Sequence, residues 1–130
     1  MELRTISFWN WRMPVLVAGS VLLATAASAA VIGAGKVAPA WSGKTVEGKP
    51  LKSTDLKGKV VLLNFFSYYC TACRKEYPHL QALQKKHAAR GFTVVSVSSD
   101  EDPKEAGAFA KEVKATFPVV QDPAYAIFEK

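Results

Sequence analysis

Residues 60–76 have the sequence VVLLNFFSYYCTACRKE, in which an apolar run passes through a short aromatic loop into a Cys-x-x-Cys motif. The apolar run predicts a strand of the buried type, and the motif is predicted to open a helix. The first turn of a helix offers unpaired N–H groups and the positive end of the helix dipole. A thiol at that position is therefore predicted to ionise near neutral pH and to act as a nucleophile.

The cysteines of the motif are Cys70 and Cys73, and the chain contains no others. With two residues between them, the second sulfur can attack the mixed disulfide that the first one forms. The pair is therefore predicted to be a redox-active disulfide that needs no metal and no organic cofactor.

Two other uses of the cysteine pair remain open. A structural zinc ion needs about four ligands, and the only further candidates are His79 and His87, at a spacing that matches no common zinc pattern. A purely structural disulfide would close a very short loop and would add little stability. Redox chemistry is the stronger interpretation.

The N-terminal segment has the features of a targeting sequence. A basic start, an uncharged apolar run and the small-x-small sequence Ala27-Ser28-Ala29 predict a signal peptide of residues 1–29. Residues 13–35 also lack charge, and about 20 apolar residues suffice for a membrane anchor. In either case the domain is predicted to be exported, as a periplasmic protein or as one anchored in the membrane and facing the extracytoplasmic side.

The charge pattern limits the partners. The chain has a formal net charge of +6, but basic and acidic side chains alternate along it, as where Lys111 and Lys114 bracket Glu112. A nucleic-acid site would need clustered basic residues, so none is predicted. Export together with a single cysteine pair predicts an oxidising compartment and client proteins whose thiols or disulfides react with the pair.

The rest of the chain alternates between strand and helix patterns, which predicts an α/β fold with one domain. The continuously apolar strand at residues 59–66 is typical of a strand buried on both faces of a parallel sheet. In chain order the predicted elements are a hairpin over 41–52, a capped turn at 53–58, strand 59–66, helix 70–90, strand 92–98, a helix capped by Asp102 and Pro103, strand 117–120 and a further helix from Asp122.

A strand, a Cys-x-x-Cys at a helix start and Pro78 later in that helix together resemble the thioredoxin fold. Ala38-Pro39-Ala40-Trp41 and the segments 56–65 and 73–78 are similar to the exported, often membrane-anchored thiol:disulfide oxidoreductases of the TlpA/ResA type. The resemblance covers residues 37–130. It implies a thioredoxin-like domain with an N-terminal hairpin that reduces disulfides in client proteins.

By the same resemblance, Cys70 is the attacking thiol, Cys73 is the resolving thiol and Glu76 takes part in proton transfer. Asn64 stands where ordinary thioredoxins have a buried aspartate. An amide cannot serve as a general base, which makes Glu76 the better candidate for that role. The resemblance also implies a membrane electron donor, with cytochrome c maturation as one known use in the family.

Two departures from the family pattern lie within the site. Before the first cysteine the family usually has Phe-Trp-Ala-x-Trp, whereas this chain has Phe65-Phe66-Ser67-Tyr68-Tyr69. Thr71-Ala72 stands between the cysteines, where proline is common, and leaves an additional N–H donor that favours the thiolate. Arg74 and Lys75 could stabilise a thiolate nearby, but they are predicted to be solvated surface residues.

The third departure concerns the end of the sequence. In this family a cis-proline loop, two further strands and a final helix follow the point at which this sequence stops, Lys130. Pro118 and Pro123 precede that point and do not replace the loop. The domain is therefore predicted to be incomplete at its C-terminus, without the final strands and helix.

Two functions from other classes remain as alternatives. A peroxiredoxin-like peroxidase would require Pro-x-x-x-Thr-x-x-Cys, and here Ser67 supplies the hydroxyl but Leu63 stands in place of the proline. A copper-binding or copper-delivery module of thioredoxin-like fold is also conceivable because thiolates suit Cu(I). Such modules prefer three residues between their cysteines and a distant histidine.

Overall fold

The computed structural model describes residues 33–129, and the predicted leader therefore lies outside the described residues. Within that range the predicted α/β fold is confirmed. The helices are α1 (Thr71–His87) and α2 (Pro103–Glu112), and the strands are β1 (Ser42–Thr45), β2 (Pro50–Lys52), β3 (Val60–Phe66), β4 (Phe92–Ser98) and β5 (Val119–Gln121). None of the helices in this range is both long enough and apolar enough to cross a membrane.

The five strands form one mixed sheet in the order β2-β1-β5-β4-β3. The β3–β4 and β4–β5 pairs are parallel, whereas β1 runs antiparallel to both β2 and β5. In the β3–β4 register Leu63 lies opposite Val95. Because β3 and β4 are parallel, α1 connects them as a crossover and begins at the carboxyl end of β3.

The predicted N-terminal hairpin is present as β1 and β2. Its turn is closed by two backbone hydrogen bonds of 2.8 Å, from the N–H of Thr45 to the carbonyl of Lys49 and from the N–H of Gly48 to the carbonyl of Thr45. Gly48 has φ +81°, a left-handed conformation that costs glycine little. The Glu-Gly turn chemistry therefore fixes the hairpin register.

Both faces of the sheet carry an apolar layer. On the helical side, Tyr77 of α1 and Phe109 of α2 are fully buried and their rings lie 5.1 Å apart. The full cluster on that side is Phe66, Tyr77, Leu80, Val94, Phe109, Phe117 and Val119. On the opposite side lies a second apolar cluster, to which the 3-10 turn at Ser53–Leu56 contributes Leu56. The full cluster on that side is Trp41, Leu56, Val95, Val97, Val120 and Ile127.

Strand 59–66 has the apolar pattern of a strand buried on both faces, but it is only partly buried within the described residues. β3 forms the edge of the described sheet, and the exposed fractions of Val60, Leu63 and Phe65 are 68%, 36% and 37%. β4, which has a neighbour on each side, is the strand that is buried throughout, apart from its first residue. An apolar composition therefore marks both strands, but only β4 has the two neighbours that bury it.

The helix predicted from Asp122 does not form within the described residues, which contain turns there. The buried carboxylate of Asp122 instead accepts the N–H groups of Ile127 and Phe128 at 2.9 and 3.0 Å. An aspartate side chain that satisfies nearby N–H groups competes with helix formation. Here the turn that it holds places Ile127 in the second apolar cluster.

Candidate active site

The cysteine pair lies at the start of α1, as predicted. Cys70 is the N-cap residue and forms a disulfide with Cys73, with a Cα–Cα distance of 5.3 Å. The Sγ atom of Cys70 also accepts the backbone N–H of Cys73 at 3.1 Å. The Cys70 sulfur therefore occupies the position at which helix N–H groups and the helix dipole stabilise negative charge.

The backbone around Cys70 explains why the helix begins there. Cys70 has extended torsion angles, φ −77° and ψ 97°, and its N–H donates to the carbonyl of Ser67 at 3.1 Å. Its own carbonyl accepts the N–H of Arg74 at 3.3 Å, the first hydrogen bond of the helix. Both cysteines are half-buried, and Cys73 packs against the apolar cluster under α1. Cys70 is therefore the sulfur at the outer end of the helix.

Neither Asn64 nor the predicted proton-transfer residue Glu76 forms a hydrogen bond with a cysteine in the described range. Asn64 lies on β3 and donates from Nδ2 to the hydroxyl of Ser96 at 3.2 Å. Glu76 is exposed on α1, and its carboxylate forms no hydrogen bond with any residue of the described range. The role of Glu76 in proton transfer stays a prediction.

The histidines are not brought together with the cysteines. His79 is exposed on α1, and the ring of His87 lies 6.0 Å from the ring of Phe92 in an edge contact. Across residues 33–129 no group of three or more histidine, cysteine, aspartate or glutamate side chains is placed to hold a metal ion. The described geometry therefore offers no specific support for a metal centre.

Arg74 is not a solvated surface residue, so that prediction is wrong. Its Nε and Nη2 atoms bind the two carboxylate oxygens of Glu112 on α2 at 2.9 and 3.2 Å. Its Nη1 donates to the carbonyl of Tyr68, and its Cζ lies 5.0 Å from the centre of the Tyr68 ring and 5.1 Å from that of Phe109. Lys75, by contrast, is exposed as predicted.

The Arg74–Glu112 pair is charged at neutral pH. The hydrogen bond to Glu112 raises the pKa of Arg74, although burial acts against that rise. The same hydrogen bond lowers the pKa of Glu112, also against burial. The paired carboxylate therefore stays ionised to a lower pH than a free one.

Asp100 is a second functional candidate that the sequence analysis did not identify. It lies two residues after the end of β4, is 8% exposed, and accepts the N–H of Tyr68 with both carboxylate oxygens at 2.9 Å. The hydroxyl of Ser98 donates to the same carboxylate at 2.6 Å. An acidic residue two positions after a buried parallel strand was the available signal, since the carboxyl ends of β3 and β4 meet at one edge of the sheet.

Tyr69, the residue before Cys70, presents an aromatic surface to solvent. It is 75% exposed, and its ring makes an edge contact with that of Tyr68 at 5.2 Å. Its hydroxyl donates to the carboxylate of Glu105 on α2 at 2.8 Å. That hydrogen bond, together with the negative charge of Glu105, raises the pKa of Tyr69.

Replacing Asp100 with alanine is expected to lower the free energy of unfolding by about 1–3 kcal/mol, because the Tyr68 N–H and the Ser98 hydroxyl lose their acceptor. Urea unfolding followed by circular dichroism measures the change. Glu101→Ala, at the exposed next position, is the control and should change the free energy by less than about 0.5 kcal/mol. Equal unfolding midpoints for Asp100→Ala and the unmodified chain would contradict this role.

Curated proteins that are similar to this chain include a thioredoxin-like protein and a thiol-disulfide oxidoreductase. The thioredoxin-like protein YneN of Bacillus subtilis is 41% identical over 91 residues, which is 68% of this chain and 53% of the relative. The thiol-disulfide oxidoreductase ResA of Bacillus cereus is 36% identical over 88 residues, covering 68% of this chain and 51% of the relative. The chain thus spans about half the length of these curated relatives.

Solved structures show the same relationship. The thioredoxin domain of a thiol-disulfide oxidoreductase from Bacteroides vulgatus has a TM-score of 0.66 and 33% identity, covering 70% of this chain and 65% of that one. A thiol:disulfide interchange protein of the thioredoxin family from Chlorobium tepidum has a TM-score of 0.64 and 38% identity. That match covers 71% of this chain and 63% of the other. The predicted thioredoxin-like fold and the resemblance to ResA-type proteins are confirmed.

A family profile gives the broader classification. The profile of the AhpC/TSA family matches residues 34–130, which include every helix and strand described above. On that match, the chain belongs to the AhpC/TSA family.

Proposed function

We propose that this chain is a thiol:disulfide oxidoreductase that reduces disulfides in client proteins. The observation that carries the proposal is the Cys70–Cys73 disulfide at the N-terminus of α1, with the Cys70 sulfur facing a helix N–H at 3.1 Å. Names of the relatives support the same class of reaction.

The reaction follows from the two sulfur positions. In the reduced protein the Cys70 thiolate attacks a client disulfide, which forms a mixed disulfide and releases one client thiolate. Cys73 then loses its proton and attacks the Cys70 sulfur, which releases the second client thiolate. The client gains two electrons, and its two thiolates take up the proton of Cys73 and one proton from solvent, to which Cys70 released its own on ionising. The protein is left with the Cys70–Cys73 disulfide.

The site of action that we propose is outside the cytoplasm. The basic and apolar N-terminal residues favour export, with cleavage after Ala29 or retention as an anchor. In such a compartment the disulfide would be re-reduced by a membrane electron donor. Cytochrome c maturation is the specific use that the resemblance to TlpA/ResA-type proteins suggests.

Cys70 is expected to be the more reactive thiol of the reduced protein, because it caps the helix whereas Cys73 packs against the apolar cluster beneath it. Limiting iodoacetamide near pH 7, followed by peptide mass spectrometry, should label Cys70 first. Reduction of insulin disulfides by the same preparation tests turnover. Preferential labelling of Cys73, or no turnover with a normally reactive Cys70, would refute the proposed function.

If the Glu76 carboxylate approaches the cysteines of the reduced protein, Glu76→Gln is expected to lower the pKa of the thiols, since it removes a negative charge that repels a thiolate. Glu76 lies one turn beyond Cys73 on the exposed surface of α1, so solvent screens this effect. Absorbance at the thiolate band over a pH series measures the change, with Lys85→Gln farther along the helix as the control. An unchanged titration would contradict the predicted coupling between Glu76 and the thiols.

A further inference from the structure

Tyr68, two residues before Cys70, is held at both of its peptide groups by charged side chains from other elements. Its N–H donates to both carboxylate oxygens of Asp100, at the end of β4. Its carbonyl accepts a hydrogen bond from Nη1 of Arg74, on α1. The loop that precedes Cys70 is therefore held by hydrogen bonds to Asp100 and to Arg74, which belong to different parts of the fold.

Arg74 is itself fixed in a single orientation. Glu112 binds it through two nitrogens, and the rings of Tyr68 and Phe109 lie at 5.0 and 5.1 Å from its Cζ. A two-pronged carboxylate contact, a third donor on the carbonyl and stacking on aromatic rings together require a planar guanidinium, which lysine cannot supply. The contacts span α1, α2 and the loop before Cys70.

We propose that Arg74 and Glu112 are positioning residues for the thiol:disulfide reaction, which keep the loop and Cys70 in place when the disulfide is open. The inference rests on the proposed function. In the oxidised state the covalent bond to Cys73 helps to hold Cys70. After reduction that bond is gone, and the Cys70 sulfur stays near the Cys73 N–H only if the loop keeps its conformation.

Loss of this positioning has a defined chemical consequence. A thiolate at a helix N-cap is stabilised by N–H groups that point at it, and hydrogen bonds weaken steeply with distance and angle. If the Tyr68 carbonyl is released, Cys70 samples positions in which its sulfur no longer meets those donors. The thiolate fraction and the reaction rate at neutral pH then fall.

Substitution of Glu112 distinguishes positioning from a direct charge effect, because the two predict opposite changes in the stability of the Cys70 thiolate. The charged groups around the loop are Arg74 on α1, Glu105 and Glu112 on α2, and Asp100 after β4, with the exposed Glu76 farther along α1. If only charge mattered, removing the carboxylate of Glu112 would leave Arg74 unneutralised and would favour the thiolate. If positioning matters, the same substitution frees Arg74 and disfavours the thiolate.

The experiment measures the rate of Cys70 alkylation by iodoacetamide in the reduced, full-length chain over a pH series. Arg74→Ala, Arg74→Lys and Glu112→Ala are each expected to slow alkylation near pH 7 by about three- to tenfold. Two variants serve as controls: Lys75→Ala removes an exposed positive charge to match Arg74→Ala, and Glu47→Ala removes an exposed negative charge to match Glu112→Ala. Their alkylation rates should stay within about twofold of that of the unmodified chain. Circular dichroism verifies that each variant is folded.

Three results would overturn the inference: faster alkylation in Glu112→Ala, a normal rate in Arg74→Lys, or a normal rate in folded Glu112→Ala. Glu112 has 51% of its side chain exposed, so its substitution decides the question even if Arg74→Ala does not fold. Alkylation requires no client protein. Slowed alkylation in the variants would therefore support the positioning role even if insulin reduction showed that the proposed function is wrong.

Discussion

Cys73→Ser is expected to stop turnover and to trap client proteins as mixed disulfides on Cys70. The variant keeps the attacking sulfur at the N-cap of α1 but lacks the thiol that resolves the first intermediate. Turnover in an insulin-reduction assay should fall by at least about a hundredfold, since a residue that takes part in bond exchange is lost. Non-reducing electrophoresis after incubation with oxidised client should show a new adduct that a reductant removes.

The matched control for this trap is Ala72→Ser, which introduces a hydroxyl at the exposed position next to Cys73. It should keep turnover and form no stable adduct. Cys70→Ser should lose both turnover and adduct formation, because the sulfur that remains is packed against the apolar cluster under the helix. Adducts that form on Cys73 in Cys70→Ser, while Cys73→Ser forms none, would reverse the two assignments.

Local sequence predicted the central elements of the fold closely. The strand at residues 92–98 was predicted with its observed bounds, since Gly91 precedes a run of β-branched and apolar residues. Gly91 adopts a left-handed conformation after the short 3-10 turn that follows α1. The Asp102-Pro103 cap of α2 was also predicted, and Asp102 accepts the N–H of Lys104 at 2.9 Å. These features depend on neighbours in sequence.

Burial was predicted less well because it depends on the whole sheet. The apolar pattern of β3 is similar to that of β4, but β3 has a partner on one side only in the described range. The sequence of residues 59–66 does not indicate how many strands lie beside this one in the sheet. The helix predicted from Asp122 is replaced by turns, because the Asp122 carboxylate accepts the N–H group of Ile127, a contact five residues away that the apolar pattern does not show.

The same distinction holds for the candidate site. The placement of Cys70 and Cys73 follows from a local motif, and the sequence identified both. The contacts of Arg74 and Asp100 join residues that are 38 and 32 positions apart. The neighbouring sequence does not indicate whether a basic residue after a Cys-x-x-Cys motif forms an ion pair with a distant helix or is solvated.

Residues 30–130 alone are expected to be marginally stable, aggregation-prone and poorly active as a reductase. β3 presents unpaired backbone groups at the edge of the described sheet, together with the exposed side chains of Val60, Leu63 and Phe65. A long apolar edge of this kind is a template for pairing with other chains. A domain whose total stability is about 5–15 kcal/mol has little reserve against such a defect.

The edge can be tested by adding one charge to it. Val60→Lys should slow aggregation of residues 30–130 by about severalfold, because a charged side chain on an edge strand disfavours pairing with another chain. Ala82→Lys adds the same charge at an exposed position of α1 and should have a much smaller effect. Light scattering measures aggregation. A monomeric, cooperatively melting and fully active chain of residues 30–130 would show that the β3 edge is not the weak point of the fold.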